Sequence, residues 1–224
     1  MSGAAVLAAL AVAAPPTGHS AQGRPIPVVE VAGAHARTAV LVVGCIHGNE
    51  PAGIAVARAL AHAKPPAGVA LWIVPDLNPD GVAAGTRQNA HGVNLNRNFP
   101  AGWRPQTGVF DSGPRPLSEP ESRFARQLVL RVRPVVTIWF HQHESLVDTS
   151  SGDVALERRF ASLAGLPVGN LPRYGGSAVT WESHLFPGTT PFVVELPAGT
   201  LPAARVRRTV RAILAVAAAA AAAK

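Results

Sequence analysis

The chain has 224 residues, 48% of them hydrophobic and 15% charged, with a formal net charge of +7. That length suits one domain with a sizeable core, and that composition excludes a disordered chain. The basic residues form no dense run and aromatics are only 5%, which argues against a nucleic-acid partner held on a basic, stacking platform and leaves either an acidic partner or an arginine-rich composition with no partner.

In chain order, the first 16 residues, "MSGAAVLAALAVAAPP", carry an apolar stretch over residues 4–14. Its length suits the core of a signal peptide, although no Lys or Arg precedes it and Pro15-Pro16 is a poor cleavage neighbour. The two readings are export to an extracytoplasmic location, which we favour, and a helix packed on the domain. Residues 17–224 read as a single domain. No run approaches the ~20 apolar residues needed to cross a bilayer, so no transmembrane span is expected.

Apolar, β-branched runs predict buried strands at 26–31, 39–45, 69–74, 135–140 and 191–195. Helices are expected at 51–63, 118–132, 154–163 and 203–223. Pro51 and Pro120 suit first helical turns, and "SEPE" at 118–121 has capping-box spacing. Strands alternating with helices imply an α/β layered fold with a largely parallel sheet. The alanine run 217–223 reads as the frayed end of the last helix. Segment 76–118 shows little apolar periodicity, and a loop that long is commonly functional. The only cysteine, Cys45, lies inside an apolar run, which excludes an internal disulfide and points to a small buried core residue.

The chemistry collects where strands end. In "VVGCIHGNEPAG", His47 and Glu50 stand three residues apart on a turn entering a helix, where both can reach one cation. A catalytic zinc commonly takes three N/O ligands and leaves a fourth place open. "TIWFHQHES" offers His141 or His143 as the third, on the same side of an extended chain. "TRQNAHGVNLNRNFP" brings Arg87, Asn96 and Arg97. The planar fork of an arginine matches a carboxylate, and a guanidinium beside a metal can stabilise an oxyanion. "FVVELPAG" places Glu195 at the end of an apolar run, where desolvation raises a carboxyl pKa and suits it to act as a general base.

In this order, "GHSAQGRPI", "GCIHGNE", "NPDG", an arginine followed by "GVNLNRNFP", "SEPES", a strand-terminal histidine, "YGGSAVTW" and "VVELP" resemble the zinc carboxypeptidases, nearest to the small bacterial branch that includes murein peptide amidases. The resemblance implies an α/β/α sandwich with a mixed, largely parallel sheet of about eight strands. It assigns one Zn2+ to His47, Glu50 and His141, the histidine directly following its strand. Arg87 would polarise the scissile carbonyl, Asn96 and Arg97 would hold the substrate's free carboxylate, and Glu195 would be the general base acting on zinc-activated water. Tyr174, the only tyrosine, sits near the place of the family's substrate-contacting ring, or is a structural ring beside Gly175-Gly176.

The implied substrates are short peptides with a free C-terminal carboxylate, including the γ-D-glutamyl–diaminopimelate bond of cell-wall peptides. One position departs from the pattern. Asn94 stands where the family usually has an aspartate orienting a zinc histidine, so a hydrogen bond can survive there but a charge cannot. Two rivals remain: a zinc deacylase of N-acyl amino acids, resembling aspartoacylase or succinylglutamate desuccinylase, and a degenerate wall-binding domain. The specificity pocket is expected between residues 177–182 and 101–116.

Overall fold

The computed structural model describes residues 15–223, so all but Pro15 and Pro16 of the N-terminal segment 1–16 lies outside the described residues. Two short strands, β1 (Thr17–His19) and β2 (Pro25–Pro27), pair antiparallel as a separate ribbon. The main sheet has six strands: β3 (Val29–Ala32), β4 (Thr38–Val43), β5 (Val69–Val74), β6 (Val136–Asp148), β7 (Val168–Gly169) and β8 (Thr190–Pro197). They run in the order β3-β5-β4-β6-β7, with β8 also on β6, and only the β3–β5 pair is antiparallel. The expected strand at 26–31 is therefore two strands in different sheets, broken at Val28 between Pro27 and Val29.

Helices cover both faces, as an α/β/α sandwich requires. On one side lie α1 (Ala52–Leu60), α4 (Val154–Ala164) and α6 (Ala203–Ala222), packed on Val40, Val42, Ile138 and Phe140. On the other lie α3 (Pro120–Val132) and α5 (Ala178–Leu185), packed on Leu41, Val43 and Trp139. Alternate residues of β4 and β6 thus serve opposite cores, which is why both strands read as unbroken apolar runs. Each fully buried Val, Leu, Ile or Phe contributes about 1.5–3 kcal/mol of transfer free energy.

Several local expectations need correction. Segment 76–118 is not structureless: α2 (Pro79–Ala84) lies in it, N-capped by Asn78, whose side chain accepts from Gly81 N, and closed by a left-handed Gly85. Helix α3 starts without a side-chain cap. Ser118 Oγ instead donates to Glu119 at 2.7 Å and accepts from Asn98 Nδ2 at 2.9 Å, so the capping box does not form. The alanine run is not frayed: α6 stays regular to Ala222, and Ala217 and Ala220 are buried. Side chains this small let the last turns of the helix lie close on the sheet.

From β4 the chain crosses first to β5 on one side, and later places β6 on the other. The carboxyl ends of β4 and β6 therefore flank a point where the direction of winding reverses, the place where open α/β sheets bind ligands.

Candidate active site

His47 and Glu50 occupy the turn between β4 and α1, and the turn is clamped from outside. Asn78 Nδ2 donates to Ile46 O at 3.2 Å and Leu77 N to Cys45 O at 2.9 Å. A Cβ on Gly48 would lie 2.0 Å from the carbonyl carbon of Gly81. The "NPDG" helix start thus packs backbone to backbone on the "HGNE" turn, an approach only glycine permits. On β6, His141 is buried, whereas His143 is exposed on the rim.

Three side chains converge. His47 Nδ1 and His141 Nδ1 each lie 2.9 Å from Glu50 Oε2, and the two nitrogens are 3.1 Å apart. Asn94 reaches the far side of the first ring, its Oδ1 3.1 Å from His47 Nε2. Its amide is oriented unambiguously, since Nδ2 donates to Val109 O at 3.1 Å and Asn96 N donates to Oδ1 at 3.0 Å. The His47 proton therefore sits on Nε2, leaving the Nδ1 lone pair against a carboxylate oxygen. Two acceptors in contact call for a cation between them. Burial pulls His47 down to about 4, so its ring is neutral at physiological pH. Burial acts to raise Glu50, but its contacts with the His141 and His47 imidazoles outweigh it and hold this carboxyl well below the ordinary range. A neutral imidazole and an ionised carboxylate are the states in which these groups bind metal.

The other expected residues surround this centre. Arg87 donates to Glu50 Oε1, so the two carboxylate oxygens divide between the guanidinium and the histidines. Asn96 and Arg97 lie in a 3-10 turn, Leu95–Arg97. Asn96 Oδ1 accepts from Ala178 N at 2.9 Å, and Asn96 Nδ2 stands 3.4 Å from His141 Nε2, a long contact. Arg97 Nη1 donates to Asn96 O at 2.7 Å, while its buried Nε has no partner among the described residues. Burial, then repulsion from Arg87, pulls Arg97 down to about 10, so it remains a cation. The Tyr174 ring lies under this guanidinium, 4.2 Å from Cζ to centroid. Gly176, at φ +77° with a Cβ position 2.3 Å from Arg97 O, lets the tyrosine loop settle there.

Glu195 stands beside His141 in the β6–β8 register. Among the described residues its one side-chain hydrogen bond is from Glu144 N, at 3.5 Å. Burial raises its pKa, and Glu50 and Glu144 add to the shift against the opposing pull of His141. All eight expected residues line one cavity of about 880 Å³.

A family model for zinc carboxypeptidases matches residues 11–173 of the sequence. The chain belongs to the zinc carboxypeptidase family. Murein peptide amidase A of Escherichia coli is 32% identical over 138 residues, which cover 55% of this chain and 57% of that relative. The chain thus spans little more than half the length of the curated relatives it matches first. The crystal structure of murein-tripeptide amidase MpaA from Escherichia coli O157 superimposes with a TM-score of 0.72 at 25% identity, covering 93% of each chain. A carboxypeptidase A from Helicoverpa armigera, 20% identical with a TM-score of 0.75 over 92% of this chain and 67% of its own, shares the fold.

The cofactor of this family is zinc, and the residues fit it. The ligand atoms of His47, Glu50 and His141 all lie within 4.8 Å of one another and all three residues are buried, and two nitrogens with one carboxylate oxygen form a donor set typical of catalytic zinc. Among the described residues no other group of three His, Cys, Asp or Glu converges in this way.

Sequence reasoning overlooked four contributors. Gln142 donates its backbone N–H to Glu50 Oε2 at 3.3 Å and accepts from Ala52 N at 2.9 Å, tying α1 to β6 across the centre. Asp148 and the 150–151 serines line the cavity because β6 runs on past the predicted strand end. Of the expected pocket segments, Ser177, Val179, Thr180, Val109 and Phe110 line it. Glu182 does not; it is buried against Thr137 and Trp139. The motif "YGGSAVTW" could have announced α5, since Ser177 caps that helix by accepting from Thr180 N at 3.2 Å.

Proposed function

We propose that this chain is a zinc-dependent carboxypeptidase acting on short peptides with a free C-terminal carboxylate, derived from the cell wall. The reading rests on one observation above the rest: a buried His-Glu-His centre, an isolated carboxyl and two arginines open into the same cavity. Its likeness to murein peptide amidases supports the choice of cell-wall peptides, and the apolar N-terminal stretch supports an extracytoplasmic site of action.

His47, Glu50 and His141 would hold the metal. Zinc, when bound, acts as a Lewis acid that lowers the pKa of water from ~15.7 toward ~7. Glu195, with its raised pKa and almost no hydrogen bonding of its own, takes the proton of the attacking water and passes it to the leaving amine. Arg97 and the Asn96 amide hold the terminal carboxylate, and the Tyr174 ring keeps the guanidinium in place through a cation–π contact. Arg87, at the metal end of the cavity, stabilises the charge that grows on the carbonyl oxygen. Asn94 keeps the His47 proton on Nε2, so that Nδ1 faces the centre.

The test incubates zinc-loaded protein with a panel of free-acid peptides, murein peptides and N-acyl amino acids, and follows the products by mass spectrometry. Release of C-terminal residues, abolished by a chelator and restored by zinc, is expected. Cleavage confined to N-acyl amino acids would move the chain to the deacylases. Binding to cell wall with no hydrolysis of any substrate would leave it a degenerate domain.

A further inference from the structure

Two arginines share the cavity, and they are held in different ways. Arg87 has a counter-ion in Glu50. Arg97 has none: among the described residues no carboxylate forms an ion pair with it. It is only 4% exposed, and the hydrogen bond it donates goes to a backbone carbonyl, Asn96 O. The charge of Arg87 repels it. A buried cation in that state is costly unless something else steadies it.

Aromatic faces supply what carboxylates do not. The Tyr174 ring centroid lies 4.2 Å from the guanidinium carbon, and that of Phe110 lies 5.5 Å from the same atom. Both distances are within the reach of a cation–π contact. Phe110 is 45% exposed and belongs to neither hydrophobic core, so core packing does not explain where its ring stands. The 3-10 turn that carries it, Gly108–Phe110, is fixed together with Asp111 at three carbonyls. Gln88 Nε2 donates to Gly108 O at 3.0 Å, Asn94 Nδ2 to Val109 O at 3.1 Å and Asn94 N to Asp111 O at 2.7 Å. Asn94 is also the partner of His47, so the ring hangs on the same frame as the metal centre. An aspartate at this position would leave Val109 O without that donor.

We propose that Phe110 is a positioning residue: its ring, on a turn anchored by Asn94 and Gln88, holds the Arg97 guanidinium ready for the terminal carboxylate of the substrate. The inference deepens the carboxypeptidase reading and rests on it, since that reading sets the carboxylate on Arg97. An acidic side chain in the role of Phe110 would occupy the N–H edge that the substrate needs. A ring meets the face of the guanidinium and leaves the edge open. Holding this long side chain before the substrate arrives removes part of the ordering cost of binding. The effect therefore falls on affinity and spares kcat.

The experiment compares a short free-acid peptide with its C-terminal amide. Binding of both to Glu195→Gln is measured by calorimetry, alone and combined with Phe110→Ala, Phe110→Leu or Phe110→Tyr. The kcat and KM for the free acid are measured in the same three Phe110 variants of the zinc-loaded parent. Loss of the ring should weaken the free acid about three- to tenfold, in Kd and in KM, with kcat within about twofold. The amide should bind as before, Phe110→Tyr should match the parent, and Phe110→Leu should fail as the alanine variant does. Equal weakening of acid and amide, a Phe110→Leu protein that binds like the parent, or a loss confined to kcat overturns the proposal. If the parent binds acid and amide alike, Arg97 holds no carboxylate, and this proposal falls with the carboxypeptidase reading. If the parent prefers the acid yet hydrolyses nothing, only the peptidase reading fails, and the calorimetry still decides this one. Should circular dichroism show Phe110→Ala unfolded, Gln88→Ala, which frees the turn and keeps the ring, takes its place, and unchanged binding of the free acid overturns the proposal.

Discussion

Two glutamates are buried near the central strands and driven in opposite directions. Glu182 lies under the sheet, fully buried, with Trp139 Nε1 donating to it at 3.3 Å and the Thr137 hydroxyl as its other partner. Burial pushes it up to about 7. Glu50 lies at the strand ends, buried but facing the cavity, where burial works the same way but is outweighed by the His141 and His47 imidazoles. Two buried carboxyls therefore part company, one raised toward neutrality and the other held ionised. What separates them is the company of imidazoles at the winding reversal, just past the point where the parallel pairing of β4 with β6 ends. Anionic character here comes from position in the topology, and burial alone would have removed it.

The sharpest way to break that contrast is to remove the charge from the centre. Glu50→Gln should lose zinc by more than the roughly 10–100-fold that an outer partner costs, with peptide hydrolysis falling in step. Metal analysis after dialysis against a buffered chelator provides the check. Retention of one zinc per chain would show that Glu50 is not a ligand.

Glu195 tests the neighbouring carboxyl, which has imidazole nearby but little hydrogen bonding. Glu195→Gln should lower kcat by about 10²–10⁴ while leaving zinc content intact. In the parent, the raised pKa places the acid limb of kcat/KM above the ordinary carboxylate range. Activity is lost as pH falls through it, because the base must be ionised. An acid limb at the ordinary value, or unimpaired turnover in Glu195→Gln, would remove this residue from the reaction.

The opposite region calls for a stability measurement. The pKa of Glu182 is raised from 4.5 to about 7 in the folded chain. The folded state therefore holds a proton that the unfolded chain releases earlier, and this contribution is complete below 4.5 and disappears as pH rises through 7. A shift of that size corresponds to on the order of 3 kcal/mol. Thermal melts of the parent should fall across that window, and Glu182→Gln, neutral at every pH, should flatten the decline. Parallel curves would mean that Glu182 is already ionised in the fold.

How much of this contrast was readable beforehand follows from what kind of signal each part leaves. The central strands were legible because burial on two faces leaves unbroken apolar runs, and His47, Glu50, His141 and Glu195 were legible because each closes such a run or follows it closely. Helices α2 and α5 were not, since six and eight residues give too little periodicity; their caps at Asn78 and Ser177 were the only signal. Asp148 and Gln142 were invisible for another reason. Their importance arises from strand continuation and from a register reversal between β6 and β8, and no local pattern records either. The alanine run misled because propensity speaks for helix but says nothing about which alanines meet the sheet.

The smallest expected effect concerns the position where the chain departs from its family. Asn94 supplies the hydrogen bond that sets the His47 tautomer, 3.1 Å from Nε2, but brings no charge to strengthen the basicity of the ring. An outer partner lost outright costs about 10–100-fold in metal affinity or activity. Here only the charge is missing, so Asn94→Asp should tighten zinc by no more than about tenfold. The gain has an opposing term: Asn94 Nδ2 now donates to Val109 O, and a carboxylate would set two acceptors against each other, loosening the loop beside Phe110. Competition with a chromogenic chelator, measured beside the thermal melt, separates the two. Tighter zinc with a lower melting temperature is the expected pair. Weaker zinc would mean that the amide's grip on Val109, more than the missing charge, governs how His47 is held.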